Sequence, residues 1–419
     1  MADSDNTRKG LSRRSILRGV GLGGAALGVG GTAFAACKLN TQFFLLRSTP
    51  HVDGQRNEWA GSRVASYRTL GRTGFQMSDI SFGSGGLSDP GVARRAIERG
   101  INYFDTSPDY SNEGSERALG EALHGQQRDK LFIVSKFCTA EGHLPDDTPV
   151  KDVIAAVEGS LQRLRTDYLD LAHVHACNSV SRLMAPNIHE AFDRLKEAGK
   201  LRYLGVSSHT PDLETVMRHA VDSDRFDVIM VAYNFNNWPD LTNIFRDAHA
   251  KGMGVVAMKT LKGARATQLS EFTPTERESF AQAAFKWVLS NKDVSGLVVT
   301  IDNYATIDEY LYASGQKLTG EDIALLEKYD RLVANDYCRP GCGDCLDACP
   351  YGAPVNDIMR YAMYFENYGQ EKEAMRKYAK LDVRADHCAG CAAPCEAKCD
   401  FELPIRDKLM RADQMLRIS

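Results

Sequence analysis

Two hydrophobic periods alternate along the middle of the chain. Short runs of apolar and β-branched residues, typical of strands buried on both faces, are separated by stretches whose apolar residues recur every three or four positions, as on one face of a helix. Eight runs predict strands: DISFG, INYFDT, LFIVSKF, YLDLAHVH, LRYLGVSS, FDVIMVAY, MGVVAMK and SGLVVTI. Eight strand and helix repeats over roughly 250 residues are the pattern of a parallel (β/α)8 barrel, so we predict an α/β fold built on a TIM barrel.

A doubly wound sheet is the alternative for this alternation of strands and helices. That fold carries a glycine-rich dinucleotide turn after its first strand. Phe82–Gly91, FGSGGLSDPG, is rich in glycine but lacks the G-x-G-x-x-G spacing. The pattern therefore favours the barrel.

The N-terminus has the layout of a signal peptide. Basic residues that include the pair Arg13 and Arg14 precede a glycine-rich apolar run, Val20–Phe34, and small residues follow. This arrangement resembles a twin-arginine signal, which predicts export of the folded chain to the periplasm or the outer face of the cytoplasmic membrane. Two outcomes stay open at the boundary: cleavage after Ala35, or lipid attachment at Cys37. No other stretch approaches the roughly 20 apolar residues of a membrane span.

Length and charge limit the remaining choices. The net charge of −4, with both signs interspersed, offers no basic stripe, so nucleic acid is excluded as the expected partner. A chain of 419 residues exceeds one average domain. The predicted parts are a signal peptide (1–36), a linker or N-terminal wrap (37–66), the barrel (67–330) and a small C-terminal domain (331–419).

Polar residues end three of the predicted strands, where (β/α)8 barrels place their chemistry. Asp105 ends INYFD, Lys136 ends LFIVSK and His175 ends YLDLAHVH, while Tyr110 lies in the loop after Asp105. Each alone has an ordinary structural role, as a helix cap, a packed ring or a solvated amine. Together they predict a proton-transfer site in which Lys136 lowers the pKa of the Tyr110 phenol, Asp105 orients Lys136, and His175 donates to a substrate oxygen.

These residues carry a resemblance to a known family. INYFDTSPDYSNEGSERALGEAL, LFIVSKF, YLDLAHVH and LRYLGVSS, in this order, resemble the aldo-keto reductases from about Tyr67 to Tyr329. The resemblance implies reduction of a small-molecule carbonyl with NADPH. It places Asp105, Tyr110, Lys136 and His175 in the catalytic tetrad, with Tyr110 as general acid and base. His173, on the same strand face as His175, is predicted to be buried in the barrel wall.

The nucleotide side of the resemblance is altered. Thr300 and Thr306 stand where the family often has basic residues, and Asp302 adds a negative charge that repels a 2′-phosphate. NADP, NAD and loss of the nucleotide therefore stay open. The candidate nucleotide-binding residues implied by the resemblance are Ser207, Ser208, Lys259, Thr300 and Glu309.

The cysteines cluster in the C-terminal domain. Eight of the eleven lie in CRPGCGDCLDACP from Cys338 and CAGCAAPCEAKCD from Cys388, a duplicated four-cysteine pattern that resembles bacterial two-cluster ferredoxins. It predicts an α-rich, ferredoxin-like domain with two [4Fe-4S] clusters, each taking its fourth ligand from the other half. Two zinc sites or four disulfides are the alternatives. The predicted ligand sets are Cys338, Cys342, Cys345 and Cys399, and then Cys388, Cys391, Cys395 and Cys349.

Two functions compete. The first is an exported oxidoreductase that interconverts a carbonyl and an alcohol and passes electrons through two clusters to a redox partner protein or a quinone-linked donor. Hydride carries two electrons whereas each cluster moves one, so the link between them is left open. The second is an electron-transfer subunit of an envelope respiratory assembly, with a degenerate, nucleotide-free barrel. The membrane is expected to be reached only through the signal or a lipid on Cys37.

Overall fold

The computed structural model describes residues 58–236, 239–263, 269–272, 274 and 279–418, and all of these fall in one compact unit, Pro50–Ser419. The predicted signal peptide, Cys37 and most of the predicted linker lie outside the described residues. Within the described ranges, no helix is both long and apolar enough to cross a membrane.

Twelve strands are formed by the described residues. In chain order they are β1 (Tyr67–Thr69), β2 (Gln76–Ser78), β3 (Ile80–Gly83), β4 (Tyr103–Asp105), β5 (Phe132–Lys136), β6 (Cys138–Thr139), β7 (Gly142–His143), β8 (Leu169–Val174), β9 (Leu201–Ser208), β10 (Val228–Ala232), β11 (Gly254–Met258) and β12 (Gly296–Thr300). Eight of them, β3, β4, β5 and β8 to β12, close into one parallel barrel in chain order. All eight predicted barrel strands are confirmed.

Helices follow the barrel strands and then continue alone beyond the barrel. They are α1 (Pro90–Glu98), α2 (Gly114–Leu123), α3 (Val150–Leu164), α4 (Val180–Leu183), α5 (Pro186–Glu197), α6 (Leu213–Ser223), α7 (Thr242–Ala250), α8 (Phe280–Ser290), α9 (Tyr304–Leu311), α10 (Gly320–Val333), α11 (Val355–Asn367), α12 (Glu371–Ala379) and α13 (Ile405–Leu416). The fold is therefore the predicted (β/α)8 barrel followed by a helical C-terminal region.

Burial on both faces explains why the strands read as continuous apolar runs. One layer of side chains fills the barrel itself, with Tyr103, Phe132 and Met230 among its members. A second, larger layer lies between the strands and the surrounding helices and includes Phe104 and Ile133. Since neighbouring residues of one strand enter different layers, almost every strand position is apolar.

An antiparallel pair, β1 with β2, covers the barrel at the amino end of its strands. Gly71, between the two strands, has a left-handed φ of 48°. A Cβ at this position would lie only 2.3 Å from the backbone nitrogen of Gly254. The hairpin therefore packs against the start of β11 at a distance that only glycine permits.

The last residues of the predicted linker pack on the barrel. Trp59 is buried, and its ring lies 6.3 Å from that of Tyr312. The backbone amides of Ala65 and Ser66 donate to the Ser314 hydroxyl at 2.8 and 3.2 Å. From Glu58 onward this stretch thus behaves as an N-terminal wrap.

The C-terminal segment, residues 331–419, has its own apolar core, in which Ile358, Tyr378 and Leu409 connect the three helices α11, α12 and α13. The apolar period of 355–381 is typical of helix, and the structure forms helices there. The structure splits this stretch into α11 and α12 because Gly369 takes a left-handed φ of 65°, which ends the first helix.

Candidate active site at the barrel rim

The strand ends bring Asp105 and Lys136 together at the carboxyl rim of the barrel. Asp105 is the last residue of β4 and Lys136 the last of β5, which is its neighbour in the sheet. Lys136 Nζ donates to Asp105 Oδ2 at 2.7 Å and to the Thr106 carbonyl at 2.8 Å. Both side chains are buried, so each charge depends on the other in place of water.

Tyr110 and His175 complete the group of four predicted residues. The Tyr110 ring meets the His175 ring edge-on, with centroids 6.2 Å apart, and Lys136 Nζ lies 5.4 Å from the Tyr110 ring centroid. Ser111, Asn112 and Glu113, which follow Tyr110, all take left-handed φ values, of 52°, 53° and 68°. A left-handed φ costs energy in a non-glycine residue, so the backbone of these three residues is strained where the chain enters α2. This turn defines the conformation of the loop that carries Tyr110.

The predicted lowering of the Tyr110 pKa is wrong. Burial, followed by the carboxylates of Asp105 and Asp109, raises the pKa of Tyr110 well above its usual value. The net lowering of this pKa predicted from Lys136 does not occur because burial and the two carboxylates dominate. Burial also lowers the pKa of His175 well below its usual value, so the imidazole is neutral and retains one N–H donor.

Four further polar side chains lie around this site and were not predicted. The His143 ring stands edge-on to the His175 ring at 4.7 Å. A carboxylate oxygen of Asp109, the sulfur of Cys138 and a ring nitrogen of His175 all lie within 4.8 Å of one another. Asp109 could have been predicted as a site residue because it precedes Tyr110 in the sequence. No sequence motif marks the other three residues, Cys138, His143 and His209, as part of the site.

His173 is fully buried inside the barrel wall, as expected, and neither ring nitrogen has a hydrogen-bond partner within the described protein. A Cβ added at Gly205 would lie only 2.4 Å from Nδ1 of His173. Cys177, also fully buried, is a packed thiol that donates to the Ser179 carbonyl at 3.3 Å.

The predicted nucleotide residues are spread along the rim and hold internal partners. Ser207 Oγ accepts from the Ala176 amide at 3.1 Å, and Ser208 Oγ donates to the Cys177 carbonyl at 2.8 Å. Glu309 Oε1 accepts from Ser279 Oγ at 2.6 Å. The remaining two candidates differ in setting: Thr300 is exposed, whereas Lys259 Nζ donates to the hydroxyl of Tyr364 at 3.2 Å.

The C-terminal segment covers the rim near Tyr110. Two residues of α11 contact the rim. Tyr364 contacts Lys259, and Arg360 Nη1 lies 3.0 Å from His209 Nδ1. Lys377 on α12 lies 3.4 Å from Asp109 Oδ2. Residues more than 200 positions apart in the chain thus line one site.

The first predicted cysteine set converges on one cavity. Cys338, Cys342, Cys345 and Cys399 line it together with apolar side chains that include Phe401. Burial, followed by the nearby Cys342 and Cys345, raises the pKa of Cys338 to about 12. Four free thiols that line one cavity are a donor set for a thiolate-binding metal group.

The second predicted set is also assembled. Burial, followed by Cys349, Cys391 and Cys395, raises the pKa of Cys388 to about 11. Cys349 comes from the first half of the duplicated pattern and Cys399 from the second, so each half lends one thiol to the other. All ten cysteines of the described residues are free thiols, and none of them forms the disulfides weighed as an alternative.

Fold and rim chemistry define the class of protein: an oxidoreductase on a (β/α)8 barrel. Residues 91–331 match the model of the Aldo/keto reductase family. Because this match covers more than half of the chain, the protein belongs to that family. The match ends before Cys338, so both cysteine sets lie outside it.

Relatives named as oxidoreductases agree with this assignment, and a solved structure shares the fold. An L-galactose dehydrogenase of Arabidopsis thaliana is 28% identical over 281 residues, which are 59% of this chain and 87% of that protein. The uncharacterized oxidoreductase YqkF of Bacillus subtilis (strain 168) is 25% identical over 304 residues, 63% of this chain and 96% of that one. The holo form of aldo-keto reductase AKR11C1 from Bacillus halodurans has the same fold, with a TM-score of 0.51 at 24% identity, over 63% of this chain and 95% of that chain.

Proposed function

We propose that this oxidoreductase interconverts a small-molecule carbonyl and an alcohol at the barrel rim, with Tyr110 as the general acid and base. The observation that carries the proposal is the buried Lys136–Asp105 pair, 2.7 Å between Nζ and Oδ2, beside the rings of Tyr110 and His175. A positive charge, a phenol and an imidazole around one point are the groups that reduction of a carbonyl oxygen requires.

Each residue has a defined part in carbonyl reduction. Tyr110, whose pKa burial raises, stays protonated at neutral pH and donates its proton to the substrate oxygen as charge develops there. Neutral His175 donates a hydrogen bond to the same oxygen. Lys136, oriented by Asp105, stabilises the phenolate left on Tyr110. The hydride itself is the chemistry that a nicotinamide supplies when bound.

Tyr110→Phe tests this proposal. The variant loses the proton donor, so we expect kcat/KM for carbonyl reduction to fall about 100-fold to 10,000-fold, the usual contribution of a positioned acid or base. Tyr103→Phe is the matched control, because the Tyr103 hydroxyl is buried inside the barrel without a hydrogen-bond partner in the described protein. Turnover that survives in Tyr110→Phe contradicts the role of Tyr110.

NADP or NAD is the proposed hydride source, and the support comes from the nicotinamide end of the rim. Ser207 Oγ uses its oxygen to accept from Ala176, which leaves the hydroxyl proton for the oxygen of a carboxamide. Ser208, Lys259, Thr300 and Glu309 are proposed along the rest of the nucleotide. Cofactor extraction and binding of NADPH and NADH test this: a chain that holds neither favours the nucleotide-free electron-transfer subunit.

We further propose that the two cysteine sets hold two [4Fe-4S] clusters in a ferredoxin-like domain, residues 331–419. The support is the convergence of four free thiols in each set and the exchange of Cys349 and Cys399 between the halves. Such clusters supply one-electron transfer when bound, toward a redox partner protein or a quinone-linked donor.

Export of the folded chain is proposed from Arg13 and Arg14. Thiolate-bound clusters are assembled in a reducing compartment, which fits a route that moves folded proteins. Replacing both arginines by lysine is expected to retain the chain in the cytoplasm in a fractionation experiment, and undiminished export contradicts the proposal. In this setting, either a retained nicotinamide or electrons from the clusters must serve the barrel.

A further inference from the structure

The first predicted cysteine set, which begins at Cys338, lies beside the barrel rim. Gly343, inside this motif, packs against the loop that follows β9, so that a Cβ added to it would lie 2.9 Å from the Cβ of Pro211. Tyr337, the residue before Cys338, packs against the loop that follows β11, where a Cβ added at Gly263 would lie 3.1 Å from the Tyr337 ring. A charge held by these cysteines is therefore held next to the rim loops.

Arg339 brings a buried positive charge to the cavity of this set. The residue is 7% exposed and lines the cavity together with the four cysteines. Its Nη1 donates to the carbonyls of Ala334 and Tyr337 at 3.2 and 3.0 Å, and its guanidinium carbon lies 3.4 Å from the Phe401 ring centroid. The Nε atom is buried and has no hydrogen-bond partner within the described protein. One N–H of a permanently charged guanidinium is therefore left without an acceptor.

Arg339 forms no ion pair with a carboxylate within the described ranges. Asp344 and Lys398 also line the cavity, but both are exposed, so water screens their charges. Burial lowers the pKa of Arg339, and the negative groups that act to raise it are Tyr337 and then the cysteines, Cys338 first among them. Because a buried cation needs an anion beside it, the cysteines and the group that they bind are the partner of Arg339.

A second arginine of the C-terminal segment is already paired. Arg360, on α11, is close enough to Cys338 for its charge to act there, but its guanidinium contacts the Asp357 carboxylate on the same helix. The charge of Arg360 is thus largely compensated within α11. That of Arg339 remains for the cavity.

Arg339 also occupies a gap in which the two cysteine motifs differ. Between its first two cysteines the first motif has Arg-Pro-Gly, whereas the second has only Ala-Gly. The second motif receives an arginine from elsewhere in the chain, since Arg406, in the first turn of α13, donates from Nη2 to the Ala389 carbonyl at 2.9 Å. A cation that belongs to the motif itself is therefore a feature of the first set.

We propose that Arg339 is the counter-charge of the anionic group bound by the first set and raises its reduction potential. This inference rests on the proposed [4Fe-4S] clusters. Reduction adds one electron, and so one negative charge, to a group that four thiolates already make negative. A fixed cation stabilises this added charge, and the free Nε–H is a donor that a sulfur can accept from. Arg339 acts through the bound group and is a positioning residue.

The electron is supplied by the redox partner protein or quinone-linked donor of the proposed function. That donor is oxidised by one electron, the group at the first set is reduced by one electron, and no proton moves. A higher potential at this set favours the electron there, next to the rim loops that contact Gly343 and Tyr337.

The experiment is a redox titration of the full, cluster-loaded chain, followed by electron paramagnetic resonance, which gives a midpoint potential for each cluster. Arg339→Met removes the charge and keeps a long side chain. At the wild-type midpoint of one cluster, we expect the ratio of reduced to oxidised form to fall about tenfold, which for a one-electron couple is a shift of about 59 mV to lower potential. The other midpoint is expected to stay, and the iron content to stay at about eight atoms per chain.

Three more variants complete the test. Arg339→Gln is also neutral but keeps an N–H donor, so it carries the same prediction if Arg339→Met loses iron. Arg339→Lys keeps a positive charge at the cavity, and its midpoint is expected to stay near that of the wild type. Arg411→Met is the matched control, because it removes one positive charge from α13 of the same domain at an exposed pair with Glu366. We expect neither midpoint to move in this variant.

The outcomes separate this inference from the function on which it rests. A wild-type chain without an iron–sulfur signal overturns the proposed clusters. Two clusters with unchanged midpoints in Arg339→Met and Arg339→Gln overturn the role of Arg339 alone. An equal shift of both midpoints, or of Arg411→Met, shows an effect of overall charge and also overturns it. A midpoint as low in Arg339→Lys as in Arg339→Met shows that the hydrogen bonds to Ala334 and Tyr337, and not the charge, are what matters.

Discussion

Lys377 Nζ lies 3.4 Å from Asp109 Oδ2, so a side chain from α12 neutralises a carboxylate at the barrel rim. Asp109 is almost fully buried, and Ser107 Oγ also donates to it. Lys377 has a second carboxylate partner, Glu373, at 3.2 Å. The pair joins the C-terminal segment to the loop that carries Tyr110, and its loss is expected to affect both.

Lys377→Met is expected to loosen the C-terminal segment. The variant leaves Asp109 buried without its cation, which costs about 2 to 3 kcal/mol after allowance for the partial exposure of Lys377. Limited proteolysis of the native chain is the measurement, with faster cleavage between α10 and α13 expected. Lys380→Met is the control, because the pair of Lys380 with Glu141 is exposed and contributes little. Equal cleavage rates in the two variants contradict this prediction.

The same pair predicts a pH dependence. Although burial raises the pKa of Asp109, Lys377 and Ser107 bring it below 3.8, so its contribution is present above that pH and is lost as pH falls through the folded value. The carboxylates of Asp109 and Glu373 outweigh burial and raise the pKa of Lys377 above 10.5, so its contribution is complete below that pH and is lost as pH rises further. The difference in unfolding free energy between wild type and Lys377→Met is therefore expected to stay flat in the neutral range and shrink in strong acid. A difference that changes near neutral pH contradicts the assignment to this pair.

Gly205→Ala is expected to destabilise the barrel. The new Cβ meets His173 Nδ1 at 2.4 Å inside a closed wall, and overpacking of this kind costs about 1 to 3 kcal/mol. Denaturant unfolding measures the loss. The double variant with His173→Ala removes the contact with the ring and leaves only the Val228 carbonyl oxygen, at 3.1 Å, close to the new Cβ, so the cost of Gly205→Ala is expected to be much smaller in that background. Equal costs in both backgrounds contradict the contact.

Cys399→Ser and Cys349→Ser test the exchange of ligands between the two cysteine motifs. If each half lends its last cysteine to the other, Cys399→Ser disturbs the set around Cys338, and Cys349→Ser disturbs the set around Cys388. The wild-type chain is expected to contain about eight iron atoms, the content of two four-iron clusters. In either variant the iron content is expected to fall to about half of that value. Cys177→Ser, outside both sets, is the control. The exchange is contradicted if Cys399→Ser removes the spectrum of the cluster at Cys388, or if Cys349→Ser removes that of the cluster at Cys338.

The barrel and its rim were predictable because their signals are local. A strand buried on both faces needs consecutive apolar residues, and the eight runs from DISFG to SGLVVTI have them. Parallel strands end at one rim, so Asp105 and Lys136, each the last residue of a strand, were expected to meet. The spacing of the cysteines within each motif was equally local, whereas the exchange of Cys349 and Cys399 between the motifs was predicted from the resemblance to two-cluster ferredoxins.

What the sequence by itself determined was therefore the barrel, the strand-end residues and the two cysteine motifs, because hydrophobic period and short spacings are read over a few residues. Only the tertiary structure decided what surrounds Tyr110. The rise in its pKa comes from burial and from Asp109, which depend on the packing of the whole rim. The pairing of Lys259 with Tyr364 and of Lys377 with Asp109 joins positions 105 and 268 residues apart, and no local pattern specifies contacts between such distant residues.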